Sequence, residues 1–166
     1  MDKELRQLLD DHMHDVPRLY QLAGVTPATI QRHILDGMAA TIAESDWEAQ
    51  YTLLAMARTV AHPEAKADLL GNLLLMPGHA VHQEVTREMQ DLASPSSVAC
   101  IRAVLEGGFD FLEYTCSEDE VIAKWFSHAL ASIGTPEAID LIREFAASDN
   151  AGIAGEMRYR LARLGR

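Results

Sequence analysis

Residues 118–150 read EDEVIAKWFSHALASIGTPEAIDLIREFAASDN, and this stretch decides the fold class. Val121, Ile122, Trp125, Phe126, Ala129, Leu130 and Ile133 recur at the spacing of one helical face. Just upstream, Ser117 and Glu120 stand in Ser-x-x-Glu register and predict a capping box. Gly134 suits the left-handed backbone that closes a helix. Thr135 suits an N-cap, and Pro136 suits a first turn, where no amide partner is needed. A second apolar face follows in Ala138, Ile139, Leu141, Ile142 and Phe145. The stretch predicts a helical hairpin with a two-residue hinge, and neither helix can bury its face alone.

The unit repeats along the chain. Val60, Leu92 and Ile133 stand three residues before Pro63, Pro95 and Pro136, and Leu164 completes their column. Stepping back from these anchors gives further apolar columns: Ala57, Met89, Leu130 and Leu161, then Leu53, Val85, Phe126 and Met157, then Ala49, Val81, Ile122 and Ile153. The anchors lie 32, 41 and 31 residues apart. Self-similarity at such a period is the mark of a stacked helical-repeat array. Gly134-Thr135-Pro136 is shared with ankyrin turns, but the Leu-His after the proline is missing. Tetratricopeptide repeats need Gly and Tyr at places these units do not supply. Long apolar helix pairs with a polar-Pro hinge fit HEAT-like repeats best, though two of the spacings fall short of the usual ~40–47 residues. The expected fold is all-α, a HEAT-like α-solenoid of about four helical hairpins in a single domain over residues 1–166.

Residues 1–45 fall off the columns and are expected to cap the array. A first helix is expected over residues 2–14, with Leu5, Leu8 and Leu9 on one side, and a short helix or connector over 17–23. Thr26-Pro27 predicts the start of a helix running through Ile30, Ile34, Met38 and Ile42. The repeats then occupy 46–166. Ser45 and Glu48 predict a second capping box before the helix from Trp47 to Ala61. Pro77-Gly78 is expected to break the helix of Leu69, Leu70, Leu73 and Leu74, and another runs from His79 to Ala93.

With 48% hydrophobic and 23% charged residues, the 166-residue chain has the composition of one soluble globular domain. No run approaches the ~18 apolar residues of a membrane span, and the charged start MDKELRQLLDDHMHD has no signal-peptide core. Cys100 and Cys116 are expected to be reduced, and the protein cytoplasmic. The net charge of −11 is uneven: −1 over residues 1–35, −11 over 36–120 and +1 over 121–166. Between Arg102 and Lys124 there is no Lys or Arg, while six acids fall inside. Such a field repels nucleic acid and anionic membranes and speeds encounter with a basic protein.

The stretch Gly107–Cys116, GGFDFLEYTC, lengthens its unit by nine or ten residues. Extra residues in a repeat usually map to one rim, often the binding side. Phe109 and Phe111 have two readings, as plugs between stacked units or as contact residues. Tyr114 beside Asp110 and Glu113 reads as a contact surface. Constellations for chemistry are thin. His12-x-His14 points its rings apart on a helix, and His79-x-x-His82 with Glu84 has no third metal ligand. Cys116 and His128 form no recognisable nucleophile–base pair, and there is no phosphate loop or Cys-x-x-Cys. Arg158, Arg160, Arg163 and Arg166 read as the solvated face of a terminal helix. The expectation is a protein that is not an enzyme and needs no cofactor or metal.

Four segments carry a family resemblance: His79-x-x-His82 closing in Glu84, residues 91–98 (DLASPSSV), residues 109–114 (FDFLEY), and residues 129–138 (ALASIGTPEA) with Ser148-Asp149-Asn150. The run from His79 to Asn150 resembles the bacterial HEAT-repeat immunity proteins of polymorphic and contact-dependent toxin systems, of the immunity protein 30 type. It departs from them where Gln83 separates His82 from Glu84. The resemblance implies a cytoplasmic antitoxin that binds and blocks a cognate toxin domain. Charge placement adds that this partner is basic and nuclease-like, with the inhibitor a monomer that touches neither nucleic acid nor membrane. The expected contact residues are Asp110, Phe111, Glu113, Tyr114, Glu118 and Asp119, with Trp47, Glu48 and Tyr51 in second rank. The alternatives are a HEAT-like scaffold or a bilin-lyase-like enzyme, which would need a large apolar pocket.

Overall fold

A computed structural model describes residues 1–165, and every regular element in it is helical. In order they are α1 (Lys3–Asp11), α2 (Val16–Ala23), α3 (Ile30–Glu44), α4 (Trp47–Arg58), α5 (Pro63–Leu75), α6 (His82–Leu92), α7 (Val98–Gly107), α8 (Asp119–Ile133), α9 (Pro136–Phe145) and α10 (Ala151–Arg163). Two 3-10 segments, Pro95–Ser97 and Asp110–Thr115, stand before and after α7. The fold is all-α and repeat-like, as periodicity predicts. Among the described residues no helix is long and apolar enough to cross a membrane.

The hinges form as the sequence requires. Gly134 takes φ 65°, and the Thr135 hydroxyl accepts the Ala138 amide at 3.3 Å, so α8 ends and α9 begins within two residues. Pro63, Pro95 and Pro136 each open a helical segment, where their missing N–H leaves nothing unsatisfied. The column residues Ala49, Leu53, Ala57, Val81, Val85, Met89, Ile122, Phe126, Leu130, Ile153 and Met157 are all buried. Three further column residues are less covered: Leu92 and Leu161 are half-buried, and Leu164 is exposed.

The chain divides into two compact units, Met1–Val81 and His82–Arg166. In the first, α4 packs against α1, α3 and α5, and α2 leans on α1. In the second, α8 lies between α6 and α10, while α7 and α9 form a second layer that packs on itself and on α8. Gly152 permits the close approach at one end of α10. A Cβ there would lie 2.9 Å from the Glu120 amide nitrogen, a contact real side chains do not make.

Several local expectations are corrected. Neither capping box forms. Ser45 adopts φ 56° and ends α3, so Asp46 becomes the α4 N-cap and accepts the Ala49 amide at 3.1 Å. Glu118 rather than Ser117 precedes α8, and the Ser117 hydroxyl donates to the Thr115 carbonyl. Residues 26–29 form a turn whose Thr29 hydroxyl accepts the Thr26 amide, and α3 begins at Ile30. Helix α1 stops at Asp11, α4 at Arg58, and α6 starts at His82. Leu9 is buried, but Leu5 and Leu8 stay exposed, because one face of α1 meets too few partners to cover three leucines. Val121 and Trp125 were expected in the core, yet Val121 is exposed and Trp125 half-buried. They lie four residues apart on an edge of α8 turned away from the buried Ile122, Phe126 and Leu130.

Arg160 is the sharpest correction. Instead of a solvated face, it is 9% exposed and bonds Glu156 at 3.0 Å and the Ser127 hydroxyl at 3.1 Å. Ser127 donates to Glu156 at 2.6 Å, so three polar groups close a network between α8 and α10. Arg166 lies outside the described residues.

Candidate functional site

Gly108, at φ 80° and ψ −179°, adopts a backbone open in practice to glycine alone, and it turns the chain out of α7. Residues 110–115 then wind as a 3-10 helix, in which side chains three apart share an edge. This periodicity sorts the insert into three edges. Phe109 and Leu112 point inward and are buried, with Phe109 stacked on Phe126. Phe111 and Tyr114 face His82. Asp110 and Glu113 are exposed, and neither carries an ion pair among the described residues. The two readings of the phenylalanines therefore divide: Phe109 is a core plug, while Phe111 is only half-buried.

The aromatic edge is held by hydrogen bonds. The Tyr114 hydroxyl accepts the His82 amide at 3.2 Å and shares a hydrogen bond of 3.0 Å with His82 Nδ1. Phe111 meets the His82 ring edge-on at 5.2 Å between centroids. Tyr114 keeps 44% of its surface exposed, a rigid aromatic flanked by two free carboxylates. His82 is fully buried and organises the insert.

His79, equally buried, donates from Nε2 to the Leu73 carbonyl at 2.7 Å and accepts the Val81 amide at Nδ1. Both its ring nitrogens thus serve the backbone around the end of α5. Among the described residues no group of three or more His, Cys, Asp or Glu side chains is placed to hold a metal.

The other expected contact residues divide by surroundings. Glu118 is exposed at the start of α8. Asp119 is half-buried and accepts a hydrogen bond from the Asn150 amide group, so it ties α10 to α8. Trp47, Glu48 and Tyr51 belong to the first compact unit. Trp47 is 59% and Tyr51 43% exposed, their rings edge-on at 6.3 Å. With Arg6, Asp10 and Thr52 they line a groove of about 390 Å³ between α1 and α4. Glu48 pairs there with Arg6, and Thr52 donates to Asp10 at 2.8 Å.

Against protein-family models, curated proteins and solved structures, the chain has no match.

One surface escaped the sequence reading. Helices α6 and α8 leave a groove of about 490 Å³, with Arg87, Gln90 and Asp91 on one wall and Lys124, Trp125 and His128 on the other. Burial and the neighbouring Arg160 hold the His128 imidazole below its usual pKa, Lys124 adding to the effect and Glu156 opposing it. The available signal was the apolar arc of α8. Seven apolar positions are more than one core face needs, and the surplus Val121 and Trp125 line this groove.

Proposed function

We propose that the protein is a cytoplasmic HEAT-type immunity protein that binds a cognate bacterial toxin domain and blocks its active site. The observation that carries this reading is the edge formed by Asp110 and Glu113. It is an unpaired pair of carboxylates on a 3-10 turn that Phe109 and Leu112 bolt to the core. A toxin that cuts nucleic acid needs Lys and Arg to hold phosphates. Carboxylates presented on a preorganised turn can occupy those phosphate positions without the entropy cost of ordering a loop. Tyr114, half exposed and already hydrogen-bonded through its hydroxyl, supplies a rigid aromatic anchor beside them. The resemblance of residues 79–150 to immunity proteins points the same way. Trp47 and Tyr51 offer a second aromatic contact.

In this reading the acidic field governs association and the aromatic anchor governs dissociation. The partner to use is the toxin domain encoded beside this protein's gene. Asp110→Lys with Glu113→Lys is expected to keep helicity and melting, slow association, abolish its salt dependence and remove protection. Tyr114→Ala is expected to speed dissociation. Full-strength binding and protection by the folded charge-reversed variant would show that the acidic edge is only a solvated rim.

A further inference from the structure

We propose that the groove between α6 and α8 binds a small aromatic anion, its ring against Trp125 and Val121 and its charge between Arg87 and Lys124. The proposal is independent of the toxin reading, and none of the groove's residues belongs to the acidic insert. Its volume, about 490 Å³, falls within the ~300–1,000 Å³ of small-molecule sites.

Charge carries the argument further. In a chain of net charge −11 with 14 Lys and Arg, Arg6, Arg32, Arg102, Arg143 and Arg160 pair with carboxylates. Arg87 and Lys124 are exposed and carry no ion pair among the described residues, yet both face this one groove. Asp91, four residues beyond Arg87 on the same helix, lines the groove as well but makes no ion pair with it. His128 lines the same wall as Lys124. Its imidazole pKa is lowered first by burial and then by Arg160 and Lys124, against the opposing pull of Glu156. The lining thus carries two bases against one acid, a net positive groove in an acidic protein.

The apolar wall selects the rest of the ligand. Trp125 is half-buried and Val121 is 47% exposed, so a planar ring laid here covers apolar surface that the fold leaves open. A polyanion would meet the whole acidic surface as it approached. A small anion inside the groove feels mainly charges within a Debye length, about 8 Å at physiological salt. That difference favours a small aromatic anion over nucleic acid.

The test uses naphthoate, its neutral analogue naphthalenemethanol and its cationic analogue naphthylmethylamine. Trp47→Phe leaves Trp125 as the sole tryptophan, so quenching of its fluorescence reports the groove directly. Naphthoate is expected to quench Trp125 with a Kd of about millimolar or tighter, and to raise the His128 pKa in an NMR titration. The neutral and cationic analogues are expected to bind roughly tenfold more weakly or worse. Arg87→Gln with Lys124→Gln, checked for native circular dichroism, is expected to lose a similar factor for naphthoate alone. Equal affinity for all three compounds would reduce the groove to an apolar patch and overturn the proposal. So would undiminished naphthoate binding by the folded double variant, or no quenching by naphthoate up to its solubility limit.

Discussion

Phe109 lies nearly flat on Phe126, with ring centroids 5.8 Å apart and planes 22° from parallel. Phe126 sits on the buried face of α8 in a column shared by the repeats, whereas Phe109 belongs to the insert that breaks their period. One stacked pair thus fastens the acidic turn to the core of the second unit. Rigidity at the turn and stability of the core are the same contact seen from two sides.

Truncating either ring tests that link. Phe126→Ala should cost roughly 3–5 kcal/mol, since a fully buried ring leaves a cavity that the repeats cannot collapse. A double-mutant cycle with Phe109→Ala should show coupling of about 0.5–1.5 kcal/mol from the stack. Chemical denaturation measures both. An unchanged midpoint for Phe126→Ala would mean that this face of α8 is not core.

Tyr114→Phe removes the hydroxyl that bonds both the His82 amide and His82 Nδ1. The expected cost is about 1–3 kcal/mol, with faster hydrogen exchange at the His82 amide. The exposed ring itself is retained, so loss of stability without loss of apolar surface identifies the hydrogen bonds as the cause. Unaltered exchange at His82 would contradict the bonded geometry.

Glu156→Ala leaves Arg160 buried without its carboxylate and should destabilise by roughly 3–5 kcal/mol. Glu156→Leu combined with Arg160→Met removes both charges, and this pair should be markedly less harmful than the single change. Melting curves of the three proteins decide it. A double variant as unstable as Glu156→Ala would show that the network's geometry, rather than an uncompensated charge, sets the cost.

The two cysteines should separate by pH. Burial pushes the Cys100 thiol up to about 11, while Cys116 is exposed at the end of the insert. At pH 8 only about a thousandth of Cys100 is thiolate, so iodoacetamide should label Cys116 first, as read by peptide mass spectrometry. A thiol whose proton is held more tightly folded than unfolded stabilises fully below its ordinary pKa of 9.0, and that contribution declines as pH rises to about 11. Rapid labelling of Cys100 at pH 8 would show that its pocket opens readily.

Periodicity and hinge chemistry were sufficient for the repeat. Apolar columns at helical spacing, Gly134 at a left-handed position and a proline opening the segment after each hinge are local requirements, and local requirements are written in local residues. The acidic insert was legible for the same reason, as a break in period rich in aromatics and acids. Its sorting into three edges was not, because the 3-10 winding depends on Phe109 finding Phe126 and on Tyr114 finding His82 across the chain. Ser45 shows the opposite failure: a sound capping pattern lost to Asp46, one residue nearer the helix. Burial of Arg160 and the groove beside Trp125 were beyond reach for a common physical reason. A helix face reads as solvent or core only relative to the helices that pack on it, and α6, α8 and α10 come together from residues tens of positions apart.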